Sequence, residues 1–322
     1  MVSSARAGQS RTACATLKVR TMPPVPVIDA HQHFWDLSRN RYPWLQETPP
    51  IPFRYGDYSA IRRTYLPEDY RRDTAAIRPT ATVHIEAEWA PDDPVGEQRW
   101  LAGLREITGL PSVSVAQAWL DRDDAADVLA AQAAFPFVRG IRHKPRAAAA
   151  AQDVRRGEAG SMDDPRWRAG YALLARHGLS FDLQSPFWHA PAAAELARDF
   201  PQTRLIINHT FLPTDRSPEG LAAWRRGLEQ VAAEPNAVLK ISGLGIRGKR
   251  WQAADNIPVI RDAIRIFGVA RCLFASNYPV DSLAGGFSEI YAGFAAAVAD
   301  RPLSEQRLLF HDNAAAVYRI GG

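Results

Sequence analysis

The sequence predicts a (β/α)8 barrel, and three observations predict it. From residue 25 onward, short apolar runs alternate with helical patterns eight times, the pattern of parallel strands joined by crossover helices. The length of 322 residues suits one barrel of eight such units. The first strand-to-helix turn reads HQHFWD, whereas a doubly wound sheet would usually carry a glycine-rich phosphate loop there.

Strands are expected near 25–31, 80–88, 111–119, 137–143, 179–184, 203–209, 236–242 and 271–277. Helices are expected near 67–78, 96–108, 123–134, 164–177, 190–200, 219–234, 256–267 and 287–299. Pro67-Glu68-Asp69, Asp163-Asp164-Pro165 and Ser217-Pro218-Glu219 carry helix-start chemistry: proline and acids belong in a first turn, whose N–H groups are unpaired. The long segments 34–66, 144–162 and 243–255 read as loops over the C-terminal mouth, where barrel enzymes keep their chemistry. Residues 25–322 read as one domain. Residues 1–24 read as a disordered basic tail, and Met22 is a candidate translation start.

The charge balance argues against a nucleic-acid partner. The formal net charge is +4, and the acid-free tail holds Arg6, Arg11, Lys18 and Arg20. Without those four, the basic residues equal the 35 acidic ones, so the body offers no basic excess for a phosphate backbone. Cys14 and Cys272 are too few for a disulfide framework, which fits a reducing, cytoplasmic setting. No apolar run reaches membrane-spanning length. A small-molecule substrate is the expected partner, and homo-oligomerisation is left open.

Candidate chemistry clusters at strand ends. Residues two apart on a strand share a face, so Asp29, His31 and His33 are expected to look one way and both imidazoles to reach one ion. On strand two, Val83, Ile85 and Ala87 are expected to meet the helices, while His84, Glu86 and Glu88 look into the barrel. A buried His–Glu pair is the structural alternative there. His209 ends strand six as a third imidazole, the composition of many zinc sites. Arg142, His143 and Lys144 reach the mouth from strand four; Asp182 and Gln184 share a face of strand five, as do Lys240 and Ser242 of strand seven.

The pieces IDAHQHFWD, YPWL (42–45), LPEDY (66–70), GEQRWL (96–101), GIRH (140–143), FDL (181–183), INHT (207–210), KISGL (240–244) and FASNYPV (274–280) together resemble the amidohydrolase superfamily. The likeness is to its amidohydrolase 2 branch of TIM-barrel metal-dependent hydrolases, which includes sugar lactonases, and it covers residues 25–319. It implies one divalent ion, zinc, held by His31, His33 and His209, with no ion at all as the alternative. The family's strand-eight motif usually reads S-D-W-P, where the Asp binds metal or takes a proton from water; here Asn277 replaces it, and an amide is not a base near neutral pH. Glu86 or Asp281 is then expected as base, Asn277 as an oxyanion donor, and Arg142, His143, Lys240 and Gln184 as substrate contacts. The resemblance implies a hydrolase opening a sugar-acid lactone or small ester. Its alternatives are a decarboxylase of the same branch and an inactive binding barrel.

Overall fold

The computed structural model describes residues 25–321, so the expected tail over 1–24 lies outside the described residues. Eight parallel strands lie in sequence order: β1 (Ile28–Gln32), β2 (Ala81–Ile85), β3 (Val113–Gln117), β4 (Val138–Arg142), β5 (Ser180–Leu183), β6 (Leu205–Ile207), β7 (Ala237–Ile241) and β8 (Cys272–Phe274). The ring closes just beyond β8, where Asn277 N–H donates to His31 O at 2.8 Å and His33 N–H to Tyr278 O at 2.7 Å.

Around the ring run α1 (Pro43–Gln46), α2 (Pro67–Asp73), α3 (Gly96–Thr108), α4 (Ala125–Ala133), α5 (Pro165–Ala172), α6 (Ala190–Asp199), α7 (Pro218–Ala232), α8 (Ala253–Phe267) and α9 (Phe287–Ala297). The proline starts of α2, α5 and α7 are those expected from sequence, and the Asp164 and Ser217 side chains cap α5 and α7. Three further pieces complete the C-terminal end: α10 (Leu303–Arg307), a π turn over Leu308–Asp312, and α11 (Asn313–Tyr318). Ala314, Val317 and Tyr318 of α11 join the apolar cluster inside the strands and floor the barrel.

Two expected strand faces are corrected. The cluster of Ile28, Ala30, Val83, Ile85, Val115, Ile206, Val238 and Leu273 unites strands from opposite sides of the ring, so it fills the lumen. Val83 and Ile85 therefore face inward. His84 faces outward, with Nε2 3.3 Å from the Glu97 carboxylate of α3. A His–Glu pair does hold the barrel, but its acid comes from the helix layer. Asp29 is turned outward too: Tyr70 of α2 and Tyr291 of α9 donate to it, and Ser276 donates from N–H and hydroxyl at 2.8 and 2.7 Å. An irregularity between Asp29 and Gln32 breaks the two-residue alternation, so His31 does not share the face of Asp29.

Helix α5 lies directly on the loop after β3. A Cβ on Gly170 would fall 1.9 Å from Leu120 O, and backbone cannot yield as a side chain does. Gly170→Ala is therefore expected to destabilise the protein by about 2–3 kcal/mol, measured by urea unfolding against Gly103→Ala in α3, where nothing lies within 4 Å of the added carbon.

Candidate active site

His31 and His33 meet at the seam between β1 and β8. Their Nε2 atoms stand 3.2 Å apart. His33 Nδ1 lies 2.7 Å from Ile85 O, which can only accept, so the His33 proton sits on Nδ1 and its bare Nε2 faces the site. Asn277 Oδ1, a second acceptor, stands 3.3 Å from that same nitrogen. His31 Nδ1 is 3.5 Å from Lys240 Nζ.

His209 is delivered by an unusual backbone. His209, Thr210, Phe211 and Leu212 all have φ between 53° and 60°, a left-handed run costing roughly 1–2 kcal/mol per residue. Polar contacts hold it there: Thr210 Oγ1 donates to Ser242 O, Ser242 N–H donates to Thr210 Oγ1, and Trp224 Nε1 donates to Thr210 O. Ser242 Oγ is 3.0 Å from His209 Nδ1, which fixes the ring and turns Nε2 away from that bond. Gly243 (φ 64°) lies against the ring; a Cβ there would approach His209 Cβ to 2.7 Å. The His31 ring centroid is 4.9 Å from that of His33 and 4.6 Å from that of His209. Burial, reinforced by surrounding positive charge, holds all three imidazoles well below their ordinary pKa of 6.5. They are neutral, the state that binds metal or accepts protons.

Asn277 is oriented by Asp281. Its Nδ2 donates to Asp281 Oδ1 at 2.6 Å, which leaves its carbonyl toward His33. Tyr55 hydroxyl and Arg54 Nη2 reach the same oxygen at 2.9 and 3.3 Å. Burial raises the Asp281 pKa above the ordinary 3.8, against the pull of Arg54. Glu86 is committed elsewhere: Arg142 Nε donates to Oε1, and Glu88 N–H donates to Oε2 at 2.7 Å. Both of its carboxylate oxygens are thus engaged, one of them by the Arg142 guanidinium. Arg142 Nη1 also reaches Gln184 Oε1 at 3.2 Å.

Two cavities open at the mouth. One of about 250 Å³ is lined by His33, His209, Asn277, Arg54, Arg142, Lys144, Gln184, Glu88, Trp44 and Phe53. The other, of about 430 Å³, shares Trp44, Glu88, Arg142 and Lys144 and extends over Trp89 and Trp119. Two expected substrate contacts lie apart from the smaller cavity. Lys240 is fully buried in the lumen, paired with Asp182 at 2.6 Å, and Tyr318 donates to the same carboxylate. His143 Nδ1 accepts from Trp167 and from Leu120 N–H, and its ring borders only the larger cavity. Sequence reasoning missed Arg54 and Tyr55. Their signal was faint: an RYG stretch inside the predicted loop 34–66, with Gly56 at φ 90°.

The donor set suits one ion. Two nitrogens bound tetrahedrally to one zinc at ~2.0–2.1 Å stand ~3.3–3.4 Å apart, close to the His31–His33 spacing, and His33 Nε2 and Asn277 Oδ1 face each other with no proton between them. Among the described residues no group of three His, Cys, Asp or Glu side chains is arranged to hold a metal. The converging donors are thus a histidine pair and an amide oxygen, with His209 beside them.

The amidohydrolase family model matches residues 28–320. The chain is 38% identical over 299 residues to an uncharacterized protein of Sinorhizobium fredii, covering 93% of this chain and all of that one. It is 30% identical over 299 residues to the L-fucono-1,5-lactonase of Burkholderia ambifaria, covering 91% of this chain and 95% of that one. A crystal structure of a Burkholderia multivorans amidohydrolase with bound zinc superposes with a TM-score of 0.73 at 25% identity, covering 92% and 100% of the two chains.

Gly243→Ala is expected to displace the His209 ring and lower kcat/KM at least about tenfold, equivalent to 1.4 kcal/mol. Ser242→Ala, which only frees the ring, should cost less, and circular dichroism should show both folded. Acid titration gives a second expectation. His33 protonates near 6.5 when unfolded but stays neutral when folded, so below that value the unfolded state binds more protons and stability falls with pH. His33→Gln removes this dependence. In chelator-treated buffer, the stability advantage of wild type over His33→Gln should shrink by up to about 1.4 kcal/mol per pH unit below 6.5.

Proposed function

The chain belongs to the amidohydrolase family, a hydrolase family, and from that premise we propose that it opens a sugar-acid lactone or a similar small ester. One observation carries this reading: the neutral histidine cluster, with Asn277, borders a cavity lined by Arg54, Arg142 and Lys144 together with Glu88 and Gln184. Mixed donors and acceptors suit a polyhydroxylated ring, and the indole of Trp44, fixed by its bond to Ala87 O at 2.8 Å, offers a face for the ring's C–H side. The hydroxy acid released gains a negative charge, which the cationic groups complement. The lactonase name of the Burkholderia ambifaria relative supports the same choice.

His31 and His33, with His209 or Asn277 Oδ1, would hold one divalent ion, zinc in the Burkholderia multivorans relative. When bound, such an ion polarises a carbonyl and lowers the pKa of water. The protein's own groups supply the rest. Arg142, held in place by Glu86, orients the lactone oxygens. Asp281, whose pKa burial raises above the ordinary 3.8, is the acceptor for the proton lost by the attacking water. Asn277 fixes that carboxyl beside the cavity.

A second reading rests on Lys240. Its ammonium can donate to His31 Nδ1, His31 Nε2–H to His33 Nε2, and His33 Nδ1–H to Ile85 O. That chain satisfies both imidazoles without an ion. Dialysis against a strong chelator, followed by elemental analysis and a lactone assay, separates the two readings. Loss of turnover restored by one equivalent of zinc supports the first; unchanged turnover at no metal supports the second.

Asn277→Asp tests the site itself. A carboxylate would then face Asp281 across 2.6 Å, and two like charges so close cannot both ionise. Turnover of the best lactone is expected to fall at least about tenfold, or 1.4 kcal/mol. Equal or higher turnover in the variant would show that the amide merely weakens an ordinary acid site.

A further inference from the structure

A third cavity, of about 130 Å³, lies on the other side of Arg54 and is lined by Arg54, Arg216 and Arg247 together with Tyr55, Thr214 and Gly243. No carboxylate lines it. Arg216 Nη2 reaches Leu244 O and Asn256 Oδ1, each at 3.3 Å, but its Nε and Nη1 are buried without any hydrogen-bond partner. A buried cationic donor left unpaired is costly, so native structures supply it with an acceptor. Among the described residues none is supplied. Arg54 is the one guanidinium of the three tied to a carboxylate, Asp281.

We propose that this cavity binds a tetrahedral oxyanion of the phosphate class. Guanidinium groups match such an anion through their N–H donors, and three of them line this one cavity. A volume of about 130 Å³ leaves room for a phosphate group. Because Arg54 lines both this cavity and the histidine cavity, the anion sits next to the reaction site. Its source is either free phosphate or a phosphate ester carried by the substrate.

Equilibrium dialysis of the intact protein with radiolabelled inorganic phosphate, at constant ionic strength, tests the site. One phosphate per chain is expected, displaced by sulfate and not by chloride. Arg216→Gln and Arg247→Gln should each weaken binding at least tenfold; Arg247 is exposed at the cavity rim, so its variant guards against a folding failure at Arg216. No saturable binding, or binding unchanged in both variants, overturns the proposal. Kinetics then identify the source, an arm that rests on the lactonase reading. A phosphorylated lactone with a KM at least tenfold below its unphosphorylated counterpart, the gap vanishing in Arg247→Gln, marks a substrate-borne phosphate. Equal KM values with retained phosphate binding mark a free ion. If neither lactone turns over, the lactonase reading fails while the dialysis result stands by itself.

Discussion

Closure of the barrel between β1 and the chain after β8 is the contact on which the site depends. Asp29, turned outward, accepts two hydrogen bonds from Ser276 and one each from Tyr70 and Tyr291. Its carboxyl therefore ties the end of the last strand to the first and to two helices of the outer layer. Burial raises its pKa, yet every one of these donors favours the charged form. With Ser276 pinned, Asn277 N–H reaches His31 O and the Asn277 amide falls opposite His33. The seam thus sets the distance between groups 244 residues apart in sequence.

The site concentrates strain and unmet polarity where a stability optimum would have neither. Four successive left-handed residues carry His209, Asn277 itself has φ 58°, and a buried ammonium, Lys240, lies under the imidazoles. Each is over-determined by its surroundings, as strained functional positions must be to persist. Thr210 exchanges two hydrogen bonds with the backbone of Ser242, Asp182 neutralises Lys240, and Tyr318 from the C-terminal helix donates to Asp182. The floor of the barrel and its mouth are joined through this buried column. Burial first, and then positive charge below and around the histidines, keeps them unprotonated.

Fold and site were legible to different depths. The eight strands and the helices between them follow from alternation of apolar runs with capped amphipathic segments, a signal that local residues carry. The inward face of β2 was not legible, because a barrel is apolar on both faces near its base: Val83 and Ile85 fill the lumen, while His84 finds its partner on a helix. Period-two reasoning failed at β1 for another reason. A strand irregularity changes the face of every later residue and leaves no mark in the sequence. The α10–α11 end was missed because its helices are short and its π turn has no period of its own. His31, His33 and His209 were found by residue type. Arg54, Tyr55 and the role of Ser242 depend on loop geometry and could not be.

The amide at 277 follows from its two neighbours. Asp281 presents a carboxylate oxygen that must be met by a donor, and His33, its proton held by Ile85 O, presents a bare nitrogen. Asp at 277 would set charge against charge on one side. Ser would be too short to span both. An amide offers N–H on one end and C=O on the other, and Asp281 decides which way it points. The carbonyl is thereby aimed at the same point as His33 Nε2, a convergence of acceptors that favours a cation or a donating substrate group over an empty dipole. The amide at 277 and Asp281 four residues later are then one feature: the amide connects that carboxylate to the histidines.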